Sequence, residues 1–128
     1  MPTNGRLTKR SEFLAARRGR RLNGPYFFVE THVRGDQSPP RVGLTVTKKI
    51  GNAVVRNRIR RRLREAIRTA ASGFMRDGVD YVIVARRDVL EVDFADLQRE
   101  LSRRFGRFDP AAGQTPTKRL KSANTPEV

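Results

Sequence analysis

Two neighbouring segments of the chain show the two-residue periodicity of strands. "PYFFVETHV", which begins at Pro25, is rich in aromatic and β-branched residues, and one of its faces would carry Tyr26, Phe28, Glu30 and His32. "RVGLTVTKK", which begins at Arg41, alternates in the same way. Because the intervening "RGDQSPP" has the composition of a connecting turn, the pattern predicts a β-hairpin.

A third strand and the helix before it follow. "VDYVIVA", from Val79 to Ala85, is a near-continuous apolar run with β-branched residues, which is typical of a strand covered on both faces. Asn52 is suited to cap a helix that runs to about Arg76. The succession of strand, helix and strand predicts a parallel β-α-β unit, which is right-handed by default.

Two further helices flank this unit. Thr8 can cap a short helix that continues to about Arg18 and stops at Gly19, a residue suited to the left-handed position after a helix. The last helix opens at Asp93. Its apolar residues share one stripe at helical spacing, and they are Phe94, Leu97, Leu101, Phe105 and Phe108.

The length of 128 residues corresponds to one domain, which we place at residues 1–108. Residues 109–128 contain almost no large apolar side chains and are predicted to form a disordered basic tail. The absence of cysteine excludes disulfides and cysteine zinc sites. Since no apolar run approaches the roughly 18 residues of a spanning helix and the N-terminus does not resemble a signal peptide, we expect a cytoplasmic protein with no membrane partner.

The formal net charge of +15, from 28 basic and 13 acidic residues, narrows the class of partner. Repulsion on that scale destabilises a small folded chain, and a bound polyanion relieves it. Nucleic acid is the first candidate, and an anionic membrane surface is the second.

The densest run of this charge lies on the helix that follows Asn52. At 100° per residue, an arc of about 120° carries its apolar residues, which are Val55, Ile59, Leu63, Ala66, Ile67 and Ala70. The outer face carries two basic ridges, in which like-charged pairs such as Arg60 and Arg64 cost a few tenths of a kcal/mol each. Because a solvated surface does not explain this cost and arginine binds phosphate bidentately, the pattern indicates a phosphate backbone.

The short first helix combines an aromatic side chain with cations. With Phe13 at 0°, Arg17 and Arg10 lie near 40° and 60°, so one flank offers a ring between two charges. That combination suits single-stranded nucleic acid, whose bases stack and whose phosphates need positive charge. A phenylalanine on a short helix is equally compatible with an ordinary core position, and the sequence leaves both interpretations open.

Autonomous catalysis is not indicated. His32 is the only histidine and has no cysteine or second histidine to share a metal ion. Glu91, Asp93 and Asp96 lie at a helix start, where capping and compensation of the helix dipole explain them better than a metal site does. We therefore predict neither catalytic residues nor a metal site in the protein.

At this point the residues resemble a known family. "RVGLTVTKKIGNAVVRNRIRRRLREAIR", from Arg41 to Arg68, resembles the signature of the bacterial ribonuclease P protein subunit in its strand, turn, cap and arginine pattern. "RLTKRSEFLAARRGRR" and "DYVIVARRD" are similar to that family's layout, so the resemblance extends from about Arg6 to Phe108. It implies an α+β fold, an α-β-β-β-α-β-α two-layer sandwich with a mixed four-stranded sheet. One of the four strands would be a short extra strand near Arg20 to Asn23, and the β-α-β crossover would be left-handed.

The resemblance also implies a function. The chain would be the protein subunit of an endoribonuclease, ribonuclease P, whose catalytic RNA removes the 5′ leader of precursor tRNA with Mg²⁺ held through the RNA. The partners would be that RNA and the single-stranded leader, and no dedicated protein partner is evident. Positions that match the signature and are expected to contact RNA are Lys48, Lys49, Asn52, Arg56, Asn57, Arg58, Arg60, Arg61, Arg64 and Arg68.

The expected leader-binding cleft lies between the first helix and the sheet, and its residues are Arg10, Phe13, Arg17, Phe28 and Glu30. Arg17 replaces an aromatic that some members carry, and Glu30 replaces a frequent tyrosine, so we expect less stacking and more phosphate contact. Arg62 occupies a position that is often apolar in the family. Two alternatives are a structural, ribosomal-type RNA-binding protein with no leader preference and a DNA-binding protein, which would need a dimer seam or helix-turn-helix pairing that is not evident.

Overall fold

The computed structural model describes residues 5–108 of the chain. Its elements, in chain order, are β1 (Gly5–Arg6), α1 (Arg10–Arg17), β2 (Arg20–Asn23), β3 (Phe27–Val33), β4 (Arg41–Thr45), α2 (Ala53–Ala66), β5 (Val79–Ala85) and α3 (Phe94–Arg107). The α+β class and the extra strand at Arg20–Asn23 are confirmed. The sheet has five strands rather than the expected four, because the two residues of β1 pair in parallel with β4. The predicted tail at residues 109–128 lies outside the described residues.

The predicted hairpin is wrong, because β5 lies between β3 and β4 in the strand order β1-β4-β5-β3-β2. β5 pairs antiparallel with β3 and parallel with β4. The physical reason is burial: six of the seven residues of β5 are buried, whereas β3 and β4 each have more partly exposed positions. The most apolar strand therefore takes the centre of the sheet. The parallel β4–α2–β5 connection is confirmed, and the hand of the crossover stays a prediction.

The alternation of β5 separates two apolar clusters. Tyr81 and Ile83 belong to the main core, which α2 and α3 cover on one face of the sheet. Val82 points to the opposite face and packs with Leu7 and with Ala16 of α1. The residues expected on α2 and those expected in the leader cleft are thus divided between the two faces.

α2 begins where the sequence predicts it. The Asn52 side-chain oxygen accepts a hydrogen bond from the Val55 backbone N–H at 3.0 Å, which satisfies one free donor of the first turn. Ile59 and Leu63 are fully buried, as the apolar arc requires. The helix passes into a π-helical segment, Ile67–Ala71, and a 3₁₀ turn, Ser72–Phe74, close to the predicted end at Arg76.

α1 begins later than predicted, and its ends are built differently. Lys9, not Thr8, is the N-cap residue, and the carboxylate of Glu12 accepts hydrogen bonds from the backbone N–H groups of both. Gly19 does not adopt the predicted left-handed conformation, since the positive-φ glycines among the described residues are Gly35 and Gly78. Glycine is required at position 19 by close approach, because a Cβ there would lie 1.8 Å from the carbonyl oxygen of Thr31.

α3 confirms the predicted apolar stripe. Leu97, Leu101, Phe105 and Phe108 are buried against the main core, and Phe94 is partly buried. Asp93 occupies the N-cap position without a side-chain capping hydrogen bond. No helix within residues 5–108 is long and apolar enough to cross a membrane.

Candidate RNA interface

The expected RNA-contact residues on and around α2 are here together called the arginine surface, and all of them are exposed except Arg56 and Arg60, which are half-buried. Its lysines lie on the 3₁₀ turn Lys48–Ile50, and its remaining members lie on α2 and the π-helical segment. The members are those expected from the sequence, namely Lys48, Lys49, Asn52, Arg56, Asn57, Arg58, Arg60, Arg61, Arg64 and Arg68. The whole expected RNA-contact set therefore lies on α2, the 3₁₀ turn before it and the π-helical segment after it.

Few acidic side chains neutralise this surface. Arg68 pairs with Glu65, and among residues 5–108 that is the one ion pair in which a residue of the arginine surface takes part. Arg60 donates to the Asn57 side-chain oxygen at 3.1 Å, which aligns the guanidinium without removing its charge. An array of charged forks with so few counter-charges can bind a run of phosphates.

Two asparagines of this surface have structural roles. The Asn52 side-chain oxygen accepts the capping hydrogen bond of α2, and its amide nitrogen stays available as a donor. Asn57 orients Arg60, as described above. Both residues therefore shape the surface as well as contributing to it.

Arg62 differs from its neighbours in the chain. Its Nε donates to the carbonyl oxygen of Val89 at 2.9 Å, and its Nη2 donates to the carbonyl oxygen of Val92. Its guanidinium also lies 5.7 Å from the centre of the Phe94 ring. Arg62 thus joins α2 to the segment before α3.

The cleft residues of α1 lie on the other face of the sheet. The ring of Phe13 rests on Gly43 of β4, where an added Cβ would lie 2.6 Å from the ring atom Cε2. Phe13 is half-buried, whereas Arg10 and Arg17 are exposed. The two interpretations of Phe13 are therefore combined in one side chain, which packs on the sheet and keeps part of its ring accessible.

The cleft residues of β3 share that face. Phe28 and Glu30 are half-buried and lie opposite Val84 and Val82 of β5. The guanidinium of Arg21 stacks on the Phe28 ring at 3.6 Å from its centre, and Arg86 approaches the same ring at 5.8 Å. The Arg21 guanidinium covers the Phe28 ring, which a base could otherwise reach. The surface at this point is therefore formed by Arg21 and Phe28 together.

Sequence reasoning missed Arg21 and Arg86 because only strand register brings them to Phe28. Arg21 lies on β2, directly opposite Glu30 and diagonal to Phe28. Arg86 follows β5, and its Nη1 donates to the carbonyl oxygen of Gly24 at 2.8 Å. No local pattern in the chain signals either contact.

The buried ionic group of the same face was missed as well. Asp80 is 1% exposed, and its carboxylate accepts hydrogen bonds from Arg34 and Arg41. Arg41 in turn donates to Glu12 of α1 at 2.8 Å. A signal was available, since Asp80 is the single acid within the apolar run of β5.

Hydrogen bonding shifts the pKa values of Glu12 and Arg41. The pKa of Glu12 lies below its ordinary value because the backbone N–H groups of Lys9 and Thr8 stabilise the carboxylate, with a further contribution from the charge of Arg41. The hydrogen bond to Asp80 raises the pKa of Arg41. Both groups are therefore charged near neutral pH.

The residues considered for metal binding are dispersed. His32 is half-buried on β3, opposite Asp80 in the register. Asp96 forms an exposed ion pair with Arg99 in the first turn of α3. Within residues 5–108, no group of three or more His, Cys, Asp or Glu side chains could hold a metal ion.

The sequence is similar to a known family and to its curated members. The family model Ribonuclease P matches residues 1–109. The Ribonuclease P protein component of Brucella suis is 52% identical over 108 residues, covering 78% of this chain and 77% of its own length. That of Bartonella quintana is 51% identical over 106 residues, covering 78% and 80%.

Solved structures show the same fold. The RNase P protein of Thermotoga maritima superposes with a TM-score of 0.70 at 29% identity and covers 83% of this chain and 99% of its own. The RNase P protein of Staphylococcus aureus gives a TM-score of 0.67 at 26% identity, with coverage of 80% and 93%. From the family match, the identity to the curated relatives and the shared fold, the chain belongs to the ribonuclease P protein component family.

Proposed function

We propose that this protein binds the catalytic RNA of ribonuclease P through the arginine surface and holds the single-stranded 5′ leader of precursor tRNA on the α1 face of the sheet. The observation that carries the proposal is the separation of two charged surfaces. One lies on α2 and is nearly free of acids, and the other combines Phe13 and Phe28 with cations on the opposite face. Two surfaces of different chemistry suit two RNA segments of different structure.

The arginine surface suits a folded RNA. Its forks bind phosphate oxygens bidentately, and such contacts position an RNA without reading its sequence. The α1 face suits an unpaired strand, because rings and guanidinium planes stack on bases exposed only in single strands. Arg17, where some family members carry an aromatic, favours phosphate contact, and Glu30, where a tyrosine is frequent, removes a ring that could stack on a base.

Hydrolysis belongs to the RNA subunit in this proposal. Mg²⁺ bound through that RNA supplies the metal chemistry, and the side chains of the protein bind and orient RNA. The protein contributes affinity and position, and its effect is largest where Mg²⁺ is scarce, because added positive charge then lowers the repulsion between the two RNAs.

The test is cleavage of a precursor tRNA by the cognate catalytic RNA at low Mg²⁺, with and without the protein. We expect faster cleavage and tighter binding of leader-bearing substrate when the protein is present. Equal binding of leader-bearing and leaderless tRNA would instead indicate a structural RNA-binding protein. A protein that neither binds the RNA nor improves cleavage would contradict the proposal altogether.

A further inference from the structure

A continuous chain of ion pairs joins the central strand of the sheet to the first turn of α1. Asp80 on β5 receives Nε and Nη2 of Arg41 on its two carboxylate oxygens, each at 2.8 Å. The remaining Nη1 of Arg41 donates to Glu12 Oε2 at 2.8 Å. The other oxygen of Glu12 accepts from the backbone N–H groups of Thr8 and Lys9 at 3.0 and 2.9 Å. Asp80, Arg41 and Glu12 are thus linked in series to the backbone at the start of α1.

The chain of ion pairs begins at a buried residue of the central strand. Asp80 is 1% exposed and lies directly opposite Arg41 in the parallel β4–β5 register. Arg34 adds a second guanidinium to Asp80 and also binds Asp36 and the carbonyl oxygens of Ser38 and Pro39. The buried end is therefore rigid, and the Glu12 end carries α1.

This group does not have the chemistry of a phosphate site. Its two guanidinium groups, on Arg34 and Arg41, meet three carboxylates, on Glu12, Asp36 and Asp80. Lys9 and His32 are the further titratable groups beside it. Because its carboxylates outnumber its guanidinium groups and occupy them, this cluster offers no free positive charge to an RNA phosphate.

α1 depends on such an attachment. A helix of eight residues is not stable by itself, and within residues 5–108 the apolar cluster beneath it has three buried side chains, from Leu7, Ala16 and Val82. Glu12 is adjacent to Phe13, whose ring rests on Gly43, two residues beyond Arg41 on the same strand and face. Releasing Glu12 would therefore let the first turn and the Phe13 ring move together.

From these contacts we infer that Glu12 and Arg41 are positioning residues for leader binding, which hold α1 so that the Phe13 ring meets the leader. The inference rests on the proposed function. A buried ion pair by itself contributes little net stability, and its fixed geometry is what such a pair can add. The effect of Glu12 and Arg41 on the leader is exerted through Phe13, and neither residue touches RNA.

The test measures binding of leader-bearing and leaderless tRNA to the complex of catalytic RNA and full-length protein. Glu12→Gln keeps the backbone contacts and removes the charge, and Arg41→Lys removes the fork. Asp96→Asn, which breaks an exposed ion pair on α3, is the matched control. We expect the first two to weaken leader-bearing substrate about three- to tenfold, with leaderless tRNA and the control unchanged. Thermal unfolding verifies that each variant is folded at the assay temperature.

A double-mutant cycle separates positioning from general stability. If Glu12 acts through Phe13, then Glu12→Gln adds no further loss of leader binding in a Phe13→Ala background. Equal losses for both tRNAs, or additive losses in the cycle, would overturn the inference while leaving the proposed function intact. A wild-type complex that does not distinguish the two tRNAs would instead refute the leader-binding part of the proposed function, and the inference would fail with it.

Discussion

The Nε of Arg62 donates to the carbonyl oxygen of Val89 at 2.9 Å, so this arginine of α2 is directed into the protein. Arg61, its neighbour in the chain, is exposed. Two adjacent residues with the same side chain therefore have different environments, and substitution should affect different properties of the protein.

Arg62→Ala should lower the free energy of unfolding by about 1–3 kcal/mol, because the carbonyl groups of Val89 and Val92 lose their donor. The salt dependence of RNA binding should not change. Arg61→Ala should leave the free energy of unfolding nearly unchanged and should flatten the salt dependence of RNA binding. Chemical denaturation and RNA titrations at several salt concentrations measure both effects, and a flatter salt dependence for Arg62→Ala would contradict the structural assignment.

The double substitution Arg60→Ala with Arg64→Ala should weaken RNA binding and reduce the slope of log K against log salt by up to about two units, since each lost phosphate contact removes at most about one. Arg99→Ala on α3, whose guanidinium pairs with Asp96, is the matched control and should leave the slope unchanged. An unchanged slope in the double variant would make this ridge an ordinary solvated surface.

Phe13→Ala should weaken binding of leader-bearing precursor tRNA more than binding of mature tRNA, because Phe13 is only half-buried and lies on the helix that exposes Arg10 and Arg17. Phe74→Ala removes an equal ring from an exposed position outside the cleft and provides the comparison. If Phe13→Ala weakened both RNAs equally, its ring would serve only to pack α1 on Gly43.

Gly19→Ala should destabilise the fold by about 3 kcal/mol or more, since the new Cβ would lie 1.8 Å from the Thr31 carbonyl oxygen and backbone would have to move. Gly73→Ala is the control, because a Cβ there meets nothing within 4 Å. It should change stability by at most about 1 kcal/mol, in the favourable direction. Thermal unfolding distinguishes the two, and similar melting temperatures would contradict the close approach.

Acid should release the first turn of α1. The pKa of Glu12 is lowered in the folded state, so the folded state gains stability from this carboxylate at pH values above its ordinary pKa of about 4.5 and loses it as the pH falls through the lowered value. Urea denaturation across this range should therefore show a steeper loss of stability for wild type than for Glu12→Gln. Asp36 also has a lowered pKa but is present in both proteins, so its contribution cancels. Parallel curves would contradict the role of Glu12.

Local patterns determined most of the elements. The cap at Asn52, the apolar arc of α2, the bounds of β5 and the stripe of α3 were all predicted, because each depends on side chains close in the chain. The expected RNA-contact set was implied by the family resemblance. Its members lie close together in the chain, on α2, the turn before it and the π-helical segment after it.

Tertiary structure decided what depends on contacts between distant residues. The hairpin prediction failed because strand order follows from which strand is buried on both faces, and adjacency in the chain does not determine that. The close approach of Gly19 to Thr31, the stacking of Arg21 on Phe28 and the ion pairs from Asp80 to Glu12 depend on register and on docking of α1. The sequence by itself thus determined which side chains carry charge and on which helical face they lie. Only the fold decided which guanidinium groups stay exposed and which are paired within the protein, because that depends on the acid or carbonyl that each guanidinium meets.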